Sequence, residues 1–416
     1  MKRLLFLPAA LAAVCALPAS VRAQEHVPGE VVVRYEGESR SVPVEVEEGE
    51  SVRDAVAELQ DDPRVAYARP NYVAHASALI PNDPGIGLQW NLFGAYGLGM
   101  PEAWELARSY GAPGGSGAVV AVLDTGVAYR NRGPFRRAPD LHHFVPGHDF
   151  VDNDPYPFDL NGHGTHVAGT IAQSTNNGRG VAGIAYRAKI MPLRVLDADG
   201  AGDTIAISRA IRYATRHRVH VINLSLEFDS SVRASQIPDI VSALRYARRR
   251  GVVITAAAGN QADGVVAYPA RAGTVIAVGA TTERGCLADY SNGGRHLDVV
   301  APGGGVDSPP PLADGERNDY DDTVCKPDER GRDIFQQTFT RSVRTFGLPN
   351  GYEGTSMAAP HVAGVAALII ATDRIGTGRN PRGIEAHLEA TARDLGILGF
   401  DVRYGNGLVD AAAALR

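Results

Sequence analysis

The feature that most narrows what this chain can become is a series of short, continuous apolar runs separated by helical patterns. Val119 to Leu123 leads into Asp124-Thr125-Gly126, and Val219 to Ser225, Val252 to Ala258 and Val275 to Ala280 follow. Runs of this length without alternation read as strands buried on both faces. Between them, Ile205 to Ala214 and Ile237 to Arg249 carry apolar residues at helical spacing. Strands alternating with helices predict a three-layer α/β fold around a mainly parallel central sheet. Such sheets place their chemistry at the carboxyl edge of the strands.

The flanks of this core read differently. Met1-Lys2-Arg3 is basic, Leu4 to Pro18 is apolar, and Val21-Arg22-Ala23 offers small residues for cleavage. Residues 1–23 therefore read as a secretory signal peptide, too short and poorly flanked for a membrane span. No later apolar run reaches bilayer length, so no membrane anchor is expected. A net charge of −6 argues against nucleic acid as a partner. Cys15 leaves with the signal, and Cys286 and Cys325 remain, which permits one disulfide in an oxidising compartment. No cysteine cluster or His-Glu-x-x-His pattern points to zinc. Residues 24–78 read as a separate α+β unit: strands over Val27–Tyr35, Val42–Val46 and Val65–Tyr67, with a helix over Val52–Leu59. The segment 79–416 is long enough for one large core. Within it, residues 303–350 are rich in Gly, Pro, Asp and Arg and read as a surface insertion.

Four groups stand where a parallel sheet would collect its chemistry. Asp124 ends an apolar strand. His163, in Asn161-Gly162-His163-Gly164-Thr165-His166-Val167-Ala168-Gly169, opens an apolar helical run. Asn260 follows Ala256-Ala257-Ala258-Gly259. Ser356, in Gly354-Thr355-Ser356-Met357-Ala358-Ala359-Pro360, opens a long apolar run. A serine at a helix mouth lies beside unpaired N–H groups and the positive end of the helix dipole. That setting favours a developing oxyanion. Each residue alone has a plain explanation as a cap or a turn; together, in this order, they point to nucleophilic catalysis.

On these motifs the chain resembles the subtilisin-like serine proteases, peptidase family S8, and within them the thermitase-like branch. The resemblance runs from about Pro81 to Leu415, interrupted by the 303–350 segment. It implies that Ser356 is the nucleophile, His163 the general base and acid, and Asp124 the group orienting the imidazole. The order Asp, His, Ser is that of subtilisin. Asn260 would join the Ser356 N–H as oxyanion donor, a role whose loss in subtilisin costs about 10²–10³ in turnover. Residues 24–78 resemble the family's inhibitory propeptide, with a ferredoxin-like α+β fold, and self-cleavage is expected after Ala78.

The resemblance further implies protein or peptide substrates bound as an extended strand. One edge would be Ser225-Leu226-Glu227, the other Gly200-Ala201-Gly202, with Ala257, Ala258 and Gly259 lining the first pocket. Glu227 departs from the family's usual glycine. With Asp199 and Asp203 it predicts an acidic rim that favours basic over acidic substrates. Calcium is expected as a structural ion. The matching ligands are Asp83, Asp140, Asn177 and the carbonyls of Ser174, Arg179 and Val181, with a second site suggested by Asp149, Asp152 and Asp154. A secreted monomer is expected, released outside the cell or held in a periplasm.

The residues argue against three other readings. A serine esterase needs a Gly-x-Ser-x-Gly elbow and the order Ser, Asp, His, and the chain has neither. A zinc hydrolase using His163 and His166 lacks its glutamate base. A silent binding module, with the 303–350 segment over the cleft, fits poorly with four intact catalytic positions.

Overall fold

The computed structural model describes residues 26–47, 50–72, 79–309, 324–327, 329–376 and 380–416. The expected signal peptide 1–23 and the expected cleavage point after Ala78 lie outside them. The chain divides into two compact units, Met1–Ser77 and Ala78–Arg416.

In the first unit, β1 (His26–Tyr35) lies between β2 (Val42–Glu45) and β3 (Val65–Tyr72) in an antiparallel sheet, joined by α1 (Val52–Asp61). Ser51 caps α1 by accepting the Asp54 N–H at 3.2 Å. Val31, Val33, Ala55 and Ala68 form its small core. Three strands and one helix are present among the described residues, and β3 is five residues longer than the expected Val65–Tyr67.

The second unit opens with α2 (Trp90–Phe93) and α3 (Met100–Ser109). Its sheet is built from β4 (Val119–Asp124), β5 (His148–Asp149), β6 (Lys189–Arg194), β7 (Val221–Leu224), β8 (Val253–Ala257), β9 (Ile276–Thr281) and β10 (Val299–Pro302). The strand order is β10-β9-β8-β7-β4-β6-β5, and every pairing is parallel. Helices α4 (His163–Ala172), α5 (Thr204–Arg216) and α6 (Pro238–Arg249) connect them. The four apolar runs become β4, β7, β8 and β9. Strand β6 escapes a pattern reading because Pro192 sits inside it, and β10 because it is four residues long and ends in Pro302.

After β10 come the hairpin β11 (Thr338–Ser342) and β12 (Thr345–Gly347), then α7 (Thr355–Thr372), α8 (Pro381–Thr391) and α9 (Ala411–Leu415). Helix α7 is apolar on all sides because it is enclosed on all sides: Met357 to Ile369 are buried. By length and composition α7 could cross a membrane, contrary to the expectation that no run would; its burial makes it the central core helix instead.

The 303–350 segment also differs from expectation. Its described part is not all surface: Asp307, Ile334 and Thr338 are fully enclosed and Ile334 belongs to the main core, whereas much of the β11–β12 hairpin is exposed. The Asp333 carbonyl accepts the Trp90 indole N–H at 3.1 Å. Asp307 is ion-paired to Arg284 at 2.6 Å. Polar composition concealed these interior contacts, because here buried polar groups are satisfied by one another. Cys286 and Cys325 form a disulfide across a separation of 39 residues. In a chain-entropy account a loop of that size is worth about 4 kcal/mol. Cys325→Ser, made in a Ser356→Ala background to prevent self-digestion, should lower unfolding free energy by roughly 2–4 kcal/mol. Denaturant titration with and without reductant checks this: the reductant should weaken the parent and leave the variant unchanged.

Candidate active site

Strand β4 delivers Asp124 to the carboxyl edge of the sheet, fully buried. Its Oδ1 lies 2.7 Å from His163 Nδ1 and accepts the Thr125 N–H at 2.7 Å. A carboxylate only accepts, so Nδ1 carries the proton and Nε2 presents a free lone pair. Burial lowers the proton affinity of His163, but the charge and hydrogen bond of Asp124, aided by Asp159, outweigh it. The imidazole pKa is raised above its ordinary 6.5.

The turn before α4 is shaped for this contact. Gly162 has φ of 110°, a left-handed conformation that side chains disfavour. A Cβ on Gly164 would stand 2.1 Å from the Gly126 carbonyl oxygen and 3.0 Å from Asp124. Only glycine lets α4 begin so close to the end of β4. Asp159, which sequence reasoning missed, holds the turn from inside. Its Oδ1 accepts from Thr125 Oγ1 (2.9 Å) and the Asn161 and Gly162 N–H groups (2.9 and 2.8 Å). Its Oδ2 accepts from Thr165 N–H (2.9 Å) and Oγ1 (2.6 Å). The available signal was an Asp followed closely by Asn-Gly, the composition of a side-chain-closed turn. His166 plays no part in the cleft: it is buried, stacks on Tyr352, and its Nε2 donates to the Ile334 carbonyl at 2.9 Å. Burial pushes its pKa down to about 3.

Ser356 is the second residue of α7, among the leading N–H groups that have no intrahelical acceptor. Pro360 lies four residues on and has no N–H to offer the Ser356 carbonyl. That freed carbonyl accepts from Ser225 Oγ at 2.7 Å instead. Ser225 Oγ in turn accepts from Asn223 Nδ2 at 2.9 Å, and Thr255 Oγ1 donates to Asn223 Oδ1 at 3.1 Å. The nucleophile's backbone is thus tied to the ends of β7 and β8 by a buried polar chain. The Ser356 hydroxyl donates to the Ser225 carbonyl at 3.3 Å.

Asn260 is oriented from one end. Its Oδ1 accepts the Thr355 N–H at 2.8 Å and the Thr355 Oγ1 at 2.9 Å, which turns its NH₂ towards the cleft. The cleft measures about 480 Å³ and is lined by His163, Ser356, Asn260, Gly200–Gly202 and Ser225–Glu227, together with Leu196, Ile207 and Phe228. Ala257, Ala258 and Gly259 are fully buried and do not line it, a departure from the expected first pocket. Glu227 is not a free rim acid. Its Oε1 accepts the Asn260 N–H at 3.2 Å and its Oε2 accepts Asn260 Nδ2 at 3.3 Å. Burial raises its pKa. Asp203 caps α5, accepting the Ile205 and Ala206 N–H groups at 2.8 Å each. Asp199 lies in an exposed turn organised by Asp197.

The expected metal ligands part company. Asp83 and Asp140 are 2% and 1% exposed, yet belong to one cluster with the 174–181 loop. Asp83 accepts the Asn176 and Asn177 N–H groups at 2.7 and 3.0 Å; Asp140 accepts from Asn177 Nδ2 at 2.6 Å and Gln173 Nε2 at 3.1 Å. Ser174 is held by the Asp140 carbonyl at 3.0 Å, and Arg179 and Val181 follow in the same loop. Gln173 Oε1 is buried without a partner. Burial, with the charge of Asp83 adding to it, raises the Asp140 pKa. Two enclosed carboxylates and an orphaned amide oxygen are a donor set suited to a hard cation. The second expected site is a correction. Arg194, itself buried, places Nη1 2.8 Å from Asp149 and 2.5 Å from Asp152, so a guanidinium supplies the charge those acids need. The Asp154 side chain accepts the Tyr156 N–H at 2.7 Å.

These contacts generate three expectations. Activity requires neutral His163, and the group is protonated below its pKa. The acid limb of kcat/KM should therefore fall as pH drops through a value above 6.5, as a pH–rate profile will read. Asp124→Asn should lower kcat by about 10⁴ by stabilising the wrong imidazole tautomer. Ser225→Ala strands the Ser356 carbonyl and should cost about 1–3 kcal/mol of stability, measured by denaturant unfolding.

Comparisons with known proteins identify relatives of this chain. The profile of the subtilase family, Peptidase_S8, matches residues 115–407. The chain is 37% identical to a thermophilic serine proteinase of Bacillus sp. (strain AK1), over 85% of this chain and 74% of the relative. It is 35% identical to thermitase of Thermoactinomyces vulgaris, over 81% and 99%. A solved protease from Pseudoalteromonas arctica superposes with a TM-score of 0.63 at 33% identity, covering 80% of this chain and 98% of that one. With its parallel seven-stranded sheet and the Asp124–His163 pair beside Ser356, the chain belongs to the subtilase family and is a serine endopeptidase.

Proposed function

We propose that the chain is made as a secreted zymogen, removes its own 24–78 segment, and then cleaves protein or peptide substrates as a calcium-stabilised monomer. The observation that carries the catalytic part is the 2.7 Å Asp124–His163 contact in one cleft with Ser356 and Asn260. Ser356 Oγ attacks the scissile carbonyl while His163 Nε2 takes its proton. The tetrahedral oxyanion is met by Asn260 Nδ2 and the Ser356 N–H. His163 returns the proton to the leaving amine, and an acyl-enzyme remains. Water, deprotonated by His163, then releases the acid and restores the serine. Asp124 stabilises the imidazolium at each stage. Extended substrate pairs its main chain with Gly200–Gly202 and Ser225–Glu227.

Secretion is supported by the basic, apolar and small-residue order of residues 1–23. A propeptide is supported by the independent core of the first unit and by the division of the chain between Ser77 and Ala78. Parallel sheets assemble slowly because closure entropy precedes their rewarding contacts, and a pre-folded segment can lower that barrier. Calcium held by Asp83, Asp140, Asn177 and the Ser174, Arg179 and Val181 carbonyls would neutralise the two enclosed acids and pin the 174–181 loop.

Ser356→Ala should abolish peptide hydrolysis and retain the 24–78 segment, whereas wild type should start near Leu79; N-terminal sequencing of secreted protein reads both. A mature start at Gln24 would contradict self-processing. Calcium at 1,000 times its Kd stabilises by about 4 kcal/mol, so a chelator should lower the melting temperature of the Ser356→Ala protein, and Asp140→Asn should remove that response.

A further inference from the structure

Glu227 occupies a position with a consequence for substrate choice. It belongs to the segment that continues β7, while Asn260 belongs to the segment that continues the neighbouring β8. Its two carboxylate oxygens accept from the Asn260 N–H and Nδ2, so the side chain bridges the two segments. The substrate residue that supplies the attacked carbonyl must place that carbon at Ser356 and its oxygen at Asn260. Its side chain then enters between these same segments and meets Glu227. His163 and Glu227 are the ionisable groups among the described residues lining the cleft. Among the described residues, no ion pair is formed by Glu227, and the influences on its proton affinity are burial and the Asn260 N–H.

We propose that Glu227 is the specificity determinant of the first pocket and selects a lysine or arginine side chain on the acyl side of the scissile bond. Each carboxylate oxygen has two lone pairs, so Glu227 can keep its Asn260 contacts and accept from a substrate cation as well. The aliphatic stem of such a side chain lies along Leu226, and its charged end reaches the carboxylate. A second consequence follows from the same geometry. An unneutralised carboxylate beside Asn260 Nδ2 repels the negative charge that develops on the substrate oxygen. A bound cation cancels that repulsion in the transition state, so the preference enters kcat as well as KM. Glu227 thereby also acts as a positioning residue for Asn260.

The proposal rests on the peptidase assignment, and the experiment separates the two. Full-length secreted protein, after processing, is given peptides identical except for lysine, Nε-acetyl-lysine or leucine before the cleaved bond. Lysine should exceed acetyl-lysine by roughly tenfold or more in kcat/KM, part of it in kcat. In Glu227→Gln that ratio should fall towards one. Because two substrates are compared on one protein, the ratio is independent of how much variant folds. Equal cleavage of lysine and acetyl-lysine peptides by wild type, or an unchanged ratio in Glu227→Gln, would overturn the proposal. Protein that digests casein yet prefers leucine also refutes it and leaves the peptidase assignment intact. Failure on casein and on all three peptides would refute the assignment itself.

Discussion

Everything at the active edge depends on enclosing one apolar helix. Helix α7 places Met357 to Ile369 inside the core and packs against α4 and the central strands. At about 0.8 kcal/mol per buried CH₂, no surface contact competes with that burial in setting where the helix lies. Its position determines where the first turn emerges, and Ser356 is in that turn. The cost of the arrangement is a proline inside a helix and a carbonyl without its usual donor. Ser225 supplies the donor, and the repair locks the nucleophile to the end of β7.

The same logic recurs at the other catalytic groups. Asp124 is a buried charge with one oxygen lacking any hydrogen-bond partner, a state that is expensive unless a nearby group benefits from the charge. His163 is that group, and its raised proton affinity is the sign of the exchange. Asp159, equally enclosed, carries five hydrogen bonds and remains structural. Two neighbouring acids therefore have different roles because one is saturated by donors and the other is not. Asn260 is likewise defined by what its oxygen end touches, since Thr355 leaves the NH₂ end facing the cleft.

Charge compensation also decides which acidic clusters remain candidates for metal. Asp149 and Asp152 looked equivalent to Asp83 and Asp140 as spaced carboxylates. Arg194 neutralises the first pair from the end of β6, the strand beside β5, and nothing in the local sequence of the two acids announces it. Among the described residues, the second pair has amides and N–H groups for neighbours and no arginine or lysine in ion-pair contact, while His142, 4.0 Å from Asp140, has its proton affinity lowered by burial. Likewise, the polar 303–350 segment read as surface because its buried acids and amides find partners only after folding.

By itself the sequence determined the parallel sheet, the order Asp124, His163, Asn260, Ser356, and the family. Short continuous apolar runs alternating with amphipathic helical patterns fit a parallel sheet covered on both faces, and the glycines around His163 and Ser356 mark close approaches that few folds require. It also determined that Glu227 is out of place. Only tertiary structure decided what Glu227 touches, that β6 tolerates Pro192, that Asp159 braces the catalytic turn, that Cys286 meets Cys325, and that Arg194 fills an acidic cluster. Local propensity is a property of neighbours in the chain, whereas burial, pairing and charge balance are properties of neighbours in space.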